Sequence, residues 1–243
     1  MRRLTACLIL PCLAFAAGCG SDSEKPKSEP DAKAPATTTA GGCKDVKAPK
    51  KKPNGSEKRP SGPLDASKTY TVKLETSCGD FTIGLDQKAS PQAAASFASL
   101  SRSGFFDDTV FHRIVPGFVI QGGDPTASGT GGPGYSTRDA PPPDAQYTRG
   151  VVAMAKTADE PAGTAGSQFY VVTGADAGLP PEYAVVGKVT EGIGTVEKIG
   201  KLGDPNSGEE GTPSEPVVIE KATVTEVTTP SKPKKKRKRA AKD

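Results

Sequence analysis

Residues 111–124 read Phe-His-Arg-Ile-Val-Pro-Gly-Phe-Val-Ile-Gln-Gly-Gly-Asp, and they set several chemically capable side chains among apolar ones. Arg113 is the strongest of these, because a guanidinium is permanently charged, planar and forked, and can stabilise developing electron density without giving up its proton. His112 invites an acid-base role, but alternation along a strand sends neighbouring side chains to opposite faces. A core or hydrogen-bonded structural histidine is therefore the expectation. Ser167 has no base placed by sequence to activate it and reads as a strand-edge hydroxyl. The glycine-rich runs at 122–124 and 129–134 lack the lysine and the strand-to-helix setting of phosphate loops, so they read as turns framing a groove. The chain has a single His and no Cys/His cluster at ligand spacing. Neither a metal nor a cofactor is expected.

These residues need a scaffold. Arg113 falls on the first of two short strands, and Phe118 and Gln121 on the second, with Pro116-Gly117 as the turn between them. Upstream, Tyr70, Val72 and Leu74 alternate with polar residues, as do Phe81, Ile83 and Leu85 after a turn at 77–80. That pattern is a β-hairpin with one buried face. Ser90 as N-cap, Pro91 in the first turn, Ala93, Phe97 and Leu100 on one face and Gly104 as a stop predict a helix over 91–103. Apolar stretches at 110–115, 118–121, 150–155, 168–173, 184–189 and 217–227 read as further strands. Val196 and Ile199 mark a second helix near 193–202. The fold class is mainly β, a closed antiparallel barrel capped by two α-helices.

The chain is 243 residues long with 28 Gly and 23 Pro, which favours one ordinary domain flanked by segments without a core. Residues 1–18 resemble an export signal: Arg2 and Arg3, an apolar run over 4–17, then small residues. The run is too short to span a bilayer. Cys19 follows at once, in an arrangement similar to the lipobox of bacterial lipoproteins, although Ala16 stands where Leu is usual. That resemblance implies lipidation of Cys19, membrane anchoring and a place in the bacterial cell envelope. Residues 19–66 are rich in Lys, Pro, Ser, Thr, Ala and Gly and read as a disordered tether. The domain then occupies 67–227, and 228–243 is a disordered basic tail. Residues 67–226 carry 12 basic against 20 acidic side chains, so a near-neutral total hides an acidic domain and a basic tail. The run at 232–239 is nuclear-like in composition, but behind an export signal it reads as an arm for anionic lipid or wall polymer, with no nucleic acid partner. Cys43 and Cys78 remain once the signal and the anchor are set aside. An even pair in an oxidising compartment either forms a disulfide, the expectation here, or stays as two thiols.

The block at 111–124, followed in order by Val-Ala-Met-Ala-Lys at 152–156 and Gly-Ser-Gln-Phe-Tyr-Val-Val at 166–172, resembles the cyclophilin family over about residues 68–227. The resemblance implies an eight-stranded barrel and peptidyl-prolyl cis-trans isomerase activity on Pro-containing unfolded or exported polypeptides, by a monomer. It implies Arg113 as the catalytic residue, with Phe118, Val119, Gln121, Ala155, Lys156, Gln168, Tyr170, Leu179 and Tyr183 binding substrate. Val119 stands where the family has Met, Lys156 where it has Asn, and Tyr183 in place of a pocket His. Gly178 stands where cyclosporin-sensitive members have Trp, which implies weak cyclosporin binding. The rival reading is a chaperone module that captures Pro-containing segments, with incidental turnover.

Overall fold

The computed structural model describes residues 38–228; residues 1–18, Cys19 and the basic run at 232–239 lie outside the described residues. The first hairpin pairs β1 (Lys68–Thr76) with β2 (Gly79–Leu85) through a two-residue loop. Tyr70, Val72 and Leu74 are buried on one strand, Phe81 and Ile83 on the other. That is the period-two burial of a sheet with one face on a core.

The strands that follow are β3 (Thr109–Val110), β4 (Arg113–Val115), β5 (Val119–Gly122), β6 (Thr137–Arg138), β7 (Val151–Met154), β8 (Thr164–Ala165), β9 (Phe169–Val172), β10 (Val185–Glu191) and β11 (Val218–Thr228). Nine of them form one sheet in the order β3-β11-β1-β2-β10-β7-β9-β5-β4, and β6 pairs only with β8. All pairings are antiparallel. The two ends of the order, β3 and β4, are consecutive in the chain and separated only by Phe111 and His112. Since extended chain advances about 3.3–3.6 Å per residue, the sheet must curl until its ends lie about 10 Å apart. The pairing differs from eight strands joined in a continuous ladder: nine strands pair, and between β3 and β4 the chain itself is the link.

Two helices pack on the sheet, α1 (Pro91–Arg102) and α2 (Ile193–Gly200). On α1, Ala93, Ala94, Phe97, Ala98 and Leu100 are buried. Ser90 holds the N-cap position, but its side chain makes no cap bond. The Asp139 carboxylate instead accepts the Ala93 N–H at 2.7 Å, and so supplies an acceptor for a free helix-end donor from 46 residues away. Phe169 sits at the centre of the core, edge-on to Phe97, Phe106 and Phe111 at centroid distances of 5.2, 5.7 and 6.1 Å. Edge-to-face pairs of this kind add about 0.5–1.5 kcal/mol each beyond area burial.

The disordered tether expected over 19–66 is corrected where the chain is described. Residues 38–66 form no helix and no ladder strand, yet they lie against the domain as a strap. Cys43 is buried and joined by a disulfide to Cys78 in the hairpin turn. Lys52, Gly55 and Glu57 donate backbone N–H groups to the carbonyls of Pro125, Gly132 and Pro133, and Leu64 packs on the main core. Composition misled because the strap is held by backbone hydrogen bonds and one covalent link, neither of which needs large apolar side chains.

Candidate active site

Register decides which side chains share the site. Across four neighbouring strands the partners run Arg113 to Gln121, Gln121 to Tyr170, and Tyr170 to Ala153. The adjacent row runs Ile114, Ile120, Val171 and Val152. That second row belongs to the main core. Because side chains alternate across a sheet, the Arg113 row must face the other way. There it meets a smaller cluster of Val119, Tyr147, Val151, Ala153, Tyr170 and Val172.

The turn between β4 and β5 aims Phe118 at the same face. Phe118 donates its N–H to the Val115 carbonyl at 3.0 Å, and Gly117 takes φ +72 at the third turn position. Proline followed by a positive-φ glycine is the type II arrangement, which a side chain at 117 would strain. Phe118 therefore precedes the strand and is half-buried, with the Arg113 guanidinium carbon 5.8 Å from its ring centroid.

Arg113 is held from two sides. Its Nε donates to the Glu209 carbonyl at 3.0 Å, and one terminal nitrogen donates to Gln121 Oε1 at 3.4 Å. Burial lowers its pKa from the ordinary arginine range while the Glu209 and Tyr183 charges oppose that shift. An arginine so placed keeps its charge. It has fewer water partners than a surface arginine and still has donors to offer.

The cleft beside it measures about 540 Å³ and is lined by Arg113, Phe118, Val119, Gln121, Ala155 and Lys156, with Tyr170, Leu179 and Tyr183 completing the lining. Tyr147, Tyr170 and Tyr183 pack mutually at 5.7–6.4 Å. The Tyr147 hydroxyl donates to the Tyr183 carbonyl at 2.8 Å and accepts the Tyr183 N–H at 2.9 Å, which pins that wall. The Tyr170 hydroxyl is buried without a hydrogen-bond partner, and its pKa is pushed far up by burial. The Lys156 side chain is only 2% exposed, with its ammonium 2.9 Å from the Glu182 carboxylate and 5.5 Å from the centre of the Tyr183 ring.

Gln168 is absent from that cleft and lines a second cavity beside it, of about 330 Å³. The two spaces share Gln121, Ala155 and Lys156. Gln168 accepts from Gln121 Nε2 at 3.0 Å and donates to the carbonyls of Gly129 and Gly131 at 2.9 and 3.0 Å. The loop it touches is organised by fully buried Asp124, whose carboxylate accepts the N–H groups of Thr126, Ser128, Gly129 and Gly131. Burial works against the Asp124 charge, but the Thr126 hydroxyl and these amides outweigh it and hold the carboxyl below its usual range. The glycine runs are thus turns framing the groove, built on a carboxylate. His112 is half-buried, with both ring nitrogens buried and unpaired. Ser167 is buried and donates to the Gly123 carbonyl at 2.7 Å.

Sequence reasoning missed Val115 and Glu209 in the cleft and Tyr147 behind it. Val115 had a signal, since period two from Arg113 puts it on the same face. Glu209 comes from a single 3-10 turn, Gly208–Glu210, and Tyr147 from a loop, and neither is long enough in a regular element for periodicity to point to a partner.

Comparison with known proteins bears on this geometry. The family model for cyclophilin type peptidyl-prolyl cis-trans isomerase/CLD matches residues 71–224. A peptidyl-prolyl cis-trans isomerase-like 1 of Gibberella zeae is 36% identical over 162 residues, covering 65% of this chain and 96% of that protein. A probable peptidyl-prolyl cis-trans isomerase B of Mycobacterium leprae is 38% identical over 185 residues, covering 70% of this chain and 60% of that protein. A crystal structure of a Cryptosporidium parvum cyclophilin-type isomerase, in the presence of the dipeptide Ala-Pro, is similar with a TM-score of 0.57 and 32% identity. It covers 64% of this chain and 98% of that one.

Proposed function

We propose, from the premise that this chain belongs to the cyclophilin family and is a peptidyl-prolyl cis-trans isomerase, that Arg113 is its catalytic donor and that it works on exported proteins at the outer face of a bacterial membrane. The amide before proline is held planar by resonance, with a rotation barrier of roughly 18–20 kcal/mol. Lowering that barrier breaks no bond and needs no cofactor. As the bond twists, the prolyl nitrogen pyramidalises and its lone pair becomes available to a donor. The Arg113 guanidinium meets that lone pair, and Phe118, Val119, Tyr170 and Leu179 take the pyrrolidine ring in an apolar recess. Gln121 holds Arg113 and the substrate carbonyl, while Ala155, Lys156, Gln168 and Tyr183 flank the residues beside proline. An acceleration of about a hundred-thousand-fold requires about 7 kcal/mol of differential stabilisation. A fixed charge in a site with little water can supply a large part of it.

The single observation that carries this reading is the position of Arg113, clamped by the Glu209 carbonyl and Gln121 beside the Phe118 ring at an apolar cleft. Titrating isotope-labelled protein with an Ala-Pro peptide tests it. Shifts should concentrate at 113, 118, 121 and 170, and a response centred elsewhere would refute the placement.

The address rests on the sequence: an export signal over 1–18, Cys19 for lipid, and a basic run at 232–239 suited to anionic lipid or wall polymer. The lipid at Cys19 and the basic run complete the proposed address, with the isomerase domain between them. Mass measurement of the mature amino terminus and fractionation of Cys19→Ser check it. An unmodified terminus, or a variant that stays with the membrane, would remove the lipid anchor.

A further inference from the structure

The strap over residues 38–66 lies outside the stretch matched by the family, 71–224, and its middle runs along one wall of the groove. The second cavity is walled by Gly129, Thr130, Gly131, Gly132, Pro133 and Gly134. Four of those six residues are glycines and the other two, Thr130 and Pro133, are short, so beyond the Asp124 carboxylate the wall has little side-chain packing of its own. On one side Gln168 grips the carbonyls of Gly129 and Gly131. On the other side lies the strap. Lys52 donates its N–H to the Pro125 carbonyl at 2.9 Å, Gly55 to Gly132 at 3.0 Å and Glu57 to Pro133 at 2.9 Å. Asn54 Oδ1 accepts the Gly132 N–H at 3.2 Å. The strap thus runs along 132–133 much as an added strand would, its main-chain N–H groups donating to the wall carbonyls and one wall N–H donating back to the Asn54 side chain.

Close approach is built in. A Cβ on Gly134, which takes φ +90, would lie 2.6 Å from the Gly55 carbonyl oxygen, and one on Gly55 would lie 2.8 Å from Phe105 Cε2. A side chain at 134 would push strap and wall apart, and one at 55 would drive the strap against the Phe105 ring. Both ends of the strap are fastened: Cys43 by its disulfide to Cys78, and the far end where the Asp65 N–H donates to the Tyr70 hydroxyl at 3.2 Å. Lys52 adds a side-chain clamp, its ammonium donating to the carbonyls of Phe105 and Asp107.

We infer that residues 52–57 of the strap are positioning residues of the isomerase, holding the 129–134 wall so that the second cavity fits a substrate residue flanking the proline. This rests on the assignment of the adjoining cleft to the prolyl ring. The strap touches no substrate; its effect passes through the wall. Substrates long enough to enter the second cavity depend on it, and a substrate that fills only the proline cleft does not. One hydrogen bond in such a place is worth about 0.5–1.5 kcal/mol, which is about two- to twelvefold in binding.

The test uses the full chain and two peptides: a capped Ala-Pro amide, and a hexapeptide with two residues on each side of Ala-Pro, both followed by NMR exchange. Asn54→Ala removes one acceptor, and Glu57→Pro independently removes one donor. Each variant is expected to raise KM for the hexapeptide threefold or more while leaving kcat, and all turnover of the capped Ala-Pro amide, within a factor of two. Asn54→Asp, which keeps the acceptor, restores KM. An unchanged hexapeptide KM overturns the inference. So does an equal loss on both peptides that tracks a fall in Tm, since that marks the strap as a brace for the whole fold. Arg113→Ala in the same assay separates the two readings. If it stays active, the assignment of the cleft fails; if it is inactive while both strap variants match wild type, only the strap inference fails.

Discussion

Removing the disulfide by Cys43→Ala with Cys78→Ala should destabilise the domain by an amount that can be worked from the loop it closes. The two cysteines are 35 residues apart. The chain-entropy relation then gives about 13 cal/mol/K, or roughly 4 kcal/mol at 25 °C, of unfolded-state freedom restored when the link is cut. For a domain of 150–250 residues, 1 kcal/mol moves Tm by about 2–4 °C, so a fall of about 8–15 °C is expected. Local contacts should hold the hairpin near its place, because Lys44 still donates to the Ser77 carbonyl at 2.8 Å and pairs with Glu220. Neither cysteine lines the cleft. Turnover of a short Ala-Pro substrate per folded molecule should therefore stay within about twofold, and a thermal melt by circular dichroism should carry the whole effect. Reducing the unmutated protein should reproduce the shift without any change in side-chain volume. A melt within about 2 °C of the oxidised protein, both for the double variant and for the reduced protein, would refute the reasoning.

Four further outcomes follow from single groups. His112 is held below its ordinary pKa of 6.5 by burial, against the opposing pull of Asp124. Below about 6.5 the unfolded chain takes a proton that the fold resists, so stability should fall as pH drops from 7.5 towards 5.5. His112 is the only histidine; His112→Gln should flatten that slope in urea midpoints, and an unaltered slope would count against it. Tyr170→Phe deletes a buried hydroxyl without a partner; it should leave isomerase kcat/KM within about twofold and raise stability by about 1 kcal/mol in denaturant titration. Glu182→Gln strips the nearly buried Lys156 ammonium of its carboxylate; because the carboxylate is half-exposed, a loss of only about 1 kcal/mol in the same titration is expected. Cyclosporin should inhibit weakly if Gly178 stands, as the sequence resemblance implies, in the place of the Trp of sensitive cyclophilins, and a nanomolar inhibition constant would contradict that.

Much of the fold was legible because its signals are local. Tyr70, Val72 and Leu74 face the core as their alternation required. Pro91 and the apolar face of α1 placed a helix whose observed span is Pro91–Arg102. The turn Pro116-Gly117 set Arg113 and Gln121 opposite each other, and the register then followed. What escaped was non-local. Asp139 caps α1 from another segment, where Ser90 offered a nearer cap by residue type. β6 and β8 are two residues each, too short to show a period. The strap looked disordered because its stabilising bonds run through backbone, which composition does not register. Within the cleft, Phe118, Gln121 and Tyr170 were readable from motif and spacing. Glu209 was not, because only its carbonyl meets Arg113, and a carbonyl is the same in every residue.

The central claim is that Arg113 donates to the twisting prolyl nitrogen, and it is tested most directly by kcat/KM for cis-to-trans isomerisation of an Ala-Pro peptide, wild type against Arg113→Ala. Removing one fixed donor of this kind costs about a hundred- to a thousandfold. The account predicts a loss of that size, with peptide binding at Phe118 and Tyr170 still detectable and Arg113→Lys only partly active, since an ammonium lacks the planar fork. Equal rates for wild type and Arg113→Ala would contradict it.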